Sequence, residues 1–203
     1  MYLAAVRRDI NRIFAASIAV KRQFLRENID ALVQAIEWIA EALGGGHKLL
    51  IFGNGGSAAD AQHIAAEFVN RFKIERAPLP AIALTTDSSA LTSIANDYGY
   101  GQVFSKQVRA LGRPGDVALA ISTSGNAANV LRAVAECRRA GIRSIGLTGG
   151  SGGKLAQAAD LVLRAGGTTE TARIQETHIL VGHTICEQVD IKLFAGRDNA
   201  AHA

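Results

Sequence analysis

Cysteine is scarce in this sequence, and the two that occur, Cys137 and Cys186, lie in apolar helical patterns without C-x-x-C spacing. A disulfide scaffold is therefore excluded, and buried free thiols in a reducing compartment are expected. Aromatic residues make up only 5% of the chain and do not interleave with the basic ones, so the stacking platforms of a nucleic-acid-binding surface are missing. Charge is balanced as well. The 22 Lys and Arg against 18 Asp and Glu leave a net charge of +4, scattered over helix faces apart from a mild basic bias in the first helix, as on a solvated surface. Long hydrophobic runs are also absent. The longest, at residues 13–20 and 117–121, fall far short of the roughly 20 residues that span a bilayer. Arg7, Arg8 and Arg12 are followed by no continuous apolar stretch and no small-residue cleavage site, so no signal peptide is read and a cytoplasmic location is expected.

What is present is a globular composition, 48% hydrophobic over 203 residues, which fits one domain spanning residues 1–203 and excludes disorder. From Val6 an apolar stripe runs through Ile10, Ile13, Phe14, Ile18, Phe24 and Leu25. A second runs through Ile29, Leu32, Val33, Ile36, Ile39 and Leu43 and stops at Gly44, Gly45 and Gly46. The two stripes predict an N-terminal helical hairpin over about residues 1–46. Short apolar runs then alternate with helical patterns. Strands are predicted at residues 48–52, 80–85, 116–121, 144–148 and 160–163, and helices at 58–72, after 85, at 130–140 and at 173–194, the last ended by Gly196. Such alternation implies a parallel sheet covered on both faces, a three-layer α/β sandwich.

Two loops follow predicted strands and lead into helices, the place where open α/β sheets bind ligands. Gly53-Asn-Gly-Gly-Ser57 lets the backbone approach an anion closely. Ser122-Thr-Ser-Gly-Asn126 offers three hydroxyls and the free N–H groups of a helix start. Together they suggest a phosphate cradle, although each alone is also an ordinary tight turn. Neither dinucleotide nor P-loop spacing occurs. A second set of groups lies on helices. His63 and Glu67 are one turn apart on one face, and Gln175, His178 and His183 interrupt the apolar surface of the last helix. Imidazole, carboxylate and amide oxygen suit Zn²⁺ or a similar ion; a His–Glu pair alone is equally a surface hydrogen bond.

The segments from Gly53 through His63 to Glu67, Asn96-Asp97, Ile121 to Asn126, Leu147-Thr-Gly149, and Arg173 to His183 resemble the bacterial phosphoheptose isomerases. These are the sedoheptulose 7-phosphate isomerases of the sugar isomerase (SIS) domain superfamily, and the likeness covers nearly the whole chain. The resemblance implies a flavodoxin-like SIS fold and a cytoplasmic homotetramer assembled partly through the helical extension. It further implies supply of heptose, as D-glycero-D-manno-heptose 7-phosphate, for lipopolysaccharide or another surface glycan. Carried over, the ligands of one Zn²⁺ per subunit would be His63, Glu67, Gln175 and His183. Substrate contacts would come from Asn54, Gly55, Gly56, Ser57, Glu67, Asn96, Asp97, Ser122, Thr123, Ser124 and Gln175. Glu67 would act as base and His183 as acid in an enediolate mechanism. Two positions depart from the family pattern: Ala127 stands where a serine usually follows the Ser-Thr-Ser-Gly-Asn run, and Ala172 where some members carry aspartate. Loss of one neutral hydrogen bond at Ala127 is worth on the order of 1 kcal/mol.

A rival resemblance is a non-catalytic SIS adaptor that binds the replication initiator DnaA, to which Asn70-Arg-Phe72, residues 84–97 and residues 106–112 are also similar. An adaptor has no need of His63, Glu67, Gln175 and His183 together. An isomerase of pentose or hexose phosphates is the third reading. Neither a nucleic-acid nor a membrane partner is expected. Helix geometry adds an expectation about assembly. Gln175 and His183 are eight residues apart, about 12 Å of rise and about 80° around the axis, whereas His63 and Glu67 are compact. The spacing suggests a site between subunits, with the last helix of one chain meeting the His63 helix of another.

Overall fold

The computed structural model describes residues 2–194, so Gly196 lies outside the described residues. Its centre is a five-stranded parallel sheet of β1 (Leu49–Gly53), β2 (Ala81–Ala83), β3 (Val117–Ser122), β4 (Arg143–Gly149) and β5 (Leu161–Ala165), in the order β2-β1-β3-β4-β5. This is the flavodoxin-like doubly wound order, which reverses direction between β1 and β3. The expected three-layer α/β architecture is therefore present. Strand residues alternate between two buried faces. Leu49, Ile51, Leu119 and Ile121 belong to one apolar cluster and Leu50, Phe52, Ala118 and Ala120 to the other. The first face is covered by α1 (Tyr2–Gly44), α2 (Gly56–Val69) and α7 (Thr171–Phe194). The second is covered by α3 (Ser88–Tyr98), α4 (Val103–Leu111) and α5 (Ala128–Arg139), with the short α6 (Leu155–Ala158) at its end. Both cysteines are buried and unpaired. No helix among the described residues is long and apolar enough to cross a membrane.

The N-terminal hairpin expected from two stripes is instead one continuous helix of 43 residues. No glycine or proline lies between Phe24 and Ile29, and the polar break between the stripes is a change of partner rather than a turn. There Asn28, buried on α1, donates its amide to the carbonyls of Phe24 (2.9 Å) and Arg164 (3.2 Å). Its Oδ1 accepts the Arg164 N–H at 2.9 Å. One side chain thus satisfies both backbone groups of Arg164 on the free edge of β5, the end strand of the sheet, where they would otherwise stand unpaired. Every buried α1 residue lies at Val20 or beyond, and Ile10, Ile13, Phe14 and Ile18 stay exposed. A second difference follows β2. The helix expected after residue 85 is two helices, α3 and α4, parted by Gly99 at φ +83° and a 3₁₀ turn at Tyr100–Gln102.

Candidate functional site

The reversal of strand order opens a crevice beyond the carboxyl ends of β1 and β3, and both glycine-containing loops lie there. In the first, Gly55 takes φ +57°, a left-handed conformation suited to glycine, and caps α2 without any side-chain hydrogen bond. In the second, Ala127 caps α5 with no side-chain bond either, so apart from the Val130 N–H, which Asn129 Oδ1 takes up, both helices begin with N–H groups that no side chain caps. Gly125, at φ +66°, is wedged against the next loop: a Cβ there would stand 1.9 Å from the carbonyl oxygen of Gly152. Ser122 is buried at the end of β3, while Thr123 and Ser124 line a cavity of about 210 Å³ together with Gly149, Gly150, Ser151 and Thr169. Ser57 is buried in the first turn of α2.

At the other end of α2 the expected ligands converge. His63 Nε2 lies 3.1 Å from Glu67 Oε1 and 3.1 Å from His183 Nε2, and one ligand atom from each of the three residues falls within 4.8 Å of the others. The ring of Phe72 stacks on His183 with centroids 5.4 Å apart. All three polar groups belong to one chain. His63 and Glu67 thus meet the last helix of their own chain, where the helix spacing suggested that of another subunit. The reason is the side-by-side packing of α2 and α7. Gly182 is pressed against Ile64, where a Cβ would come within 2.6 Å of Cδ1. Further along, Gln175 rests on Gly56, where a Cβ would lie 2.3 Å from Nε2. The seven-residue step from Gly56 to His63 on α2 is matched by the eight-residue step from Gln175 to His183 on α7. Gln175 therefore meets the glycine loop, and His183 meets His63. The residue before Gln175, Ile174, lines the cavity of the second loop, so α7 runs from that cavity to the histidine cluster.

Other candidates are placed differently. Asn54 Nδ2 donates to Asn129 Oδ1 and Asn129 Nδ2 donates to Asn54 Oδ1, each at 2.9 Å, and the Tyr100 hydroxyl donates to Asn54 Oδ1 at 3.2 Å. The Asn54 amide is thus engaged with protein. Asn96 and Asp97 are exposed at the end of α3, where Asn96 Nδ2 donates to Asp97 Oδ1 at 2.9 Å. His178 is separate from the cluster. It is fully buried, and its Nε2 lies 3.0 Å from the carbonyl oxygen of Thr148. A carbonyl can only accept, so Nε2 carries the proton.

The sequence reading missed Asp60. Its Oδ2 is buried without a hydrogen-bond partner. Burial raises the pKa of this carboxyl, and the charges of His63 and His183 counter the shift. Asp60 precedes His63 by three residues, so the spacing argument that paired His63 with Glu67 would have found it. Asn129 and Tyr100 carry no such signal, because their contacts with Asn54 span 75 and 46 residues of sequence.

Residues 13–149 match the SIS domain family. A phosphoheptose isomerase of Thermodesulfovibrio yellowstonii is 52% identical over 91% of this chain and 92% of its own length. The solved phosphoheptose isomerase GmhA of Neisseria gonorrhoeae is 47% identical with a TM-score of 0.85, and the phosphoheptose isomerase of Francisella tularensis is 41% identical with a TM-score of 0.87. Each alignment covers 91% of this chain and 98% of the other.

Proposed function

Because the chain belongs to the phosphoheptose isomerase family of SIS-domain enzymes, we propose that it converts sedoheptulose 7-phosphate to D-glycero-D-manno-heptose 7-phosphate through an enediolate. The observation that carries this reading is the convergence of His63, Glu67 and His183 on the helix that leaves the first glycine loop. Aldose–ketose interconversion needs a base at carbon and a proton carrier at the two oxygens. Glu67 Oε1 is turned to His63, which leaves Oε2 to take a proton from C1 of the open-chain ketose, exchange it with solvent and deliver a proton to C2. His183 gives a proton to the carbonyl oxygen at C2 and takes one from the hydroxyl at C1, so the net change is isomerisation alone. The phosphate is held by Ser57, Ser122, Thr123 and Ser124 and by the free N–H groups of Gly55, Gly56 and the start of α5. Asn96, Asp97 and Gln175 serve the sugar hydroxyls. From Ile174 at the cavity to His183 is about 13 Å of helix rise at 1.5 Å per residue. That span suits a long open-chain sugar phosphate better than a two- or three-carbon one.

The same donors fit a divalent metal, since two imidazole nitrogens and a carboxylate oxygen already share one small volume. His63, Glu67 and His183 would hold one Zn²⁺ per subunit, whereas Gln175, expected as a fourth ligand, has its amide against Gly56, about two helical turns from this cluster, and is not brought to it within the chain. Bound there, the ion would polarise the substrate oxygens and lower the energy of the enediolate. Assembly as a homotetramer through α1 accounts for its exposed apolar stripe. The aldose product is a heptose precursor for lipopolysaccharide or another surface glycan made from the cytoplasmic side. The test is incubation of purified, zinc-supplemented protein with sedoheptulose 7-phosphate and detection of the aldose by anion exchange or NMR. Formation of the heptose phosphate is expected. Its absence, together with tight binding of DnaA, would replace this reading with the adaptor.

A further inference from the structure

The fold that opens the crevice also deprives its two walls of a common support. The ladder between β1 and β3 ends at the pair Gly53 and Ile121. Beyond it the first loop feeds α2 on one face of the sheet, while the second feeds α5 on the other. Helices docked on opposite faces draw the loops apart. What bridges them is the reciprocal amide pair of Asn54, in the first loop, and Asn129, in the first turn of α5. Asn129 is buried, and its Oδ1 also accepts the Val130 N–H at 2.9 Å. Asn54 Oδ1 accepts from the Tyr100 hydroxyl as well. Both amide oxygens thus accept two hydrogen bonds each from the protein and have no lone pair left for a ligand. Neither partner could be replaced by aspartate without setting two acceptor oxygens against each other.

We propose that Asn129 is a positioning residue which, through Asn54, fixes the separation of the two loops and so pre-forms the anion cradle between them. It touches no substrate. Its contribution is to spare the phosphate the cost of drawing the two loops together, which lowers KM and leaves the proton transfers to Glu67 and His183. This inference rests on the proposed sugar-phosphate site, but it is read out by anion binding and does not require turnover.

The test uses the purified full chain. The dissociation constant for inorganic phosphate is measured by isothermal titration, and KM and kcat for sedoheptulose 7-phosphate are measured alongside. Asn129→Ala and the isosteric Asn129→Asp are each expected to weaken phosphate binding and raise KM by about tenfold, with kcat changed by less than about threefold. Because the two residues act as one tie, Asn54→Ala and Asn129→Ala combined should weaken phosphate binding no further than either alone. The proposal is overturned if folded Asn129→Ala or Asn129→Asp binds phosphate within twofold of the parent, whatever its melting temperature. It is also overturned if the effects of Asn54→Ala and Asn129→Ala multiply, if kcat falls while KM is unchanged, or if the parent chain binds no phosphate. Should Asn129→Ala fail to fold, Asn129→Asp decides. A parent chain that binds phosphate through this tie but leaves sedoheptulose 7-phosphate unchanged would overturn the proposed reaction alone.

Discussion

His178 shows how burial sets the chemistry of one side chain. The imidazole is fully enclosed, donates from Nε2 to the Thr148 carbonyl and leaves Nδ1 without a partner. Desolvation holds its pKa down at about 4, against an ordinary 6.5, and the hydrogen bond to Thr148 only partly opposes it. Above pH 6.5 the ring is neutral in both folded and unfolded chains, so its contribution to stability is intact. As pH falls from 6.5 toward 4 the unfolded chain takes up the proton and the folded one does not, and stability is lost. At 1.36 kcal/mol per pKa unit the loss at pH 5 is about 2 kcal/mol. Urea unfolding at pH 8 and pH 5 should register that difference, and His178→Phe should remove it. An equal pH dependence in His178→Phe would mean that another group is responsible. The sequence placed His178 beside Gln175 and His183 as one interruption of an apolar surface. Periodicity alone could not separate a histidine that faces the sheet from one that faces α2, because only the packing of α7 tells the two directions apart.

The helices were legible in proportion to how local their causes are. The matched strand, loop and helix of residues 49–69 follow from apolar alternation, Gly55 and the small residues of α2, all within one stretch of sequence. In α1 the same reasoning failed, because the end of an apolar stripe signals either a turn or a new partner. The partner, the edge of β5, lies 136 residues away. The exposed half of α1 tests the proposed assembly. Phe14 is 67% exposed and lies outside both apolar clusters of the chain, so Phe14→Glu should leave helix content by circular dichroism unchanged. By light scattering it should lower the molar mass from that of a tetramer. An unchanged mass would remove α1 from the assembly surface.

In the whole molecule, the side-by-side course of α2 and α7 completes the His63, Glu67 and His183 cluster within each chain. The sequence could supply the rise and angle between Gln175 and His183 but not the long-range contacts of Gly182 with Ile64 and of Gln175 with Gly56. The spacing therefore looked like a site divided between subunits. Subunits carrying Glu67→Gln and subunits carrying His183→Ala, each inactive alone, should stay inactive when mixed. Native mass spectrometry would establish that mixed tetramers had formed. Recovered activity would mean that the working site takes these two residues from different chains.

The role of Glu67 is tested most directly by running the reaction in D₂O and following deuterium by NMR. The parent chain should convert sedoheptulose 7-phosphate to an aldose carrying deuterium at C2. Glu67→Gln should still bind the substrate but incorporate label at least about two orders of magnitude more slowly, as befits loss of a general base. Incorporation by Glu67→Gln at the parent rate would contradict the account, because the proton would then be moving through some other group.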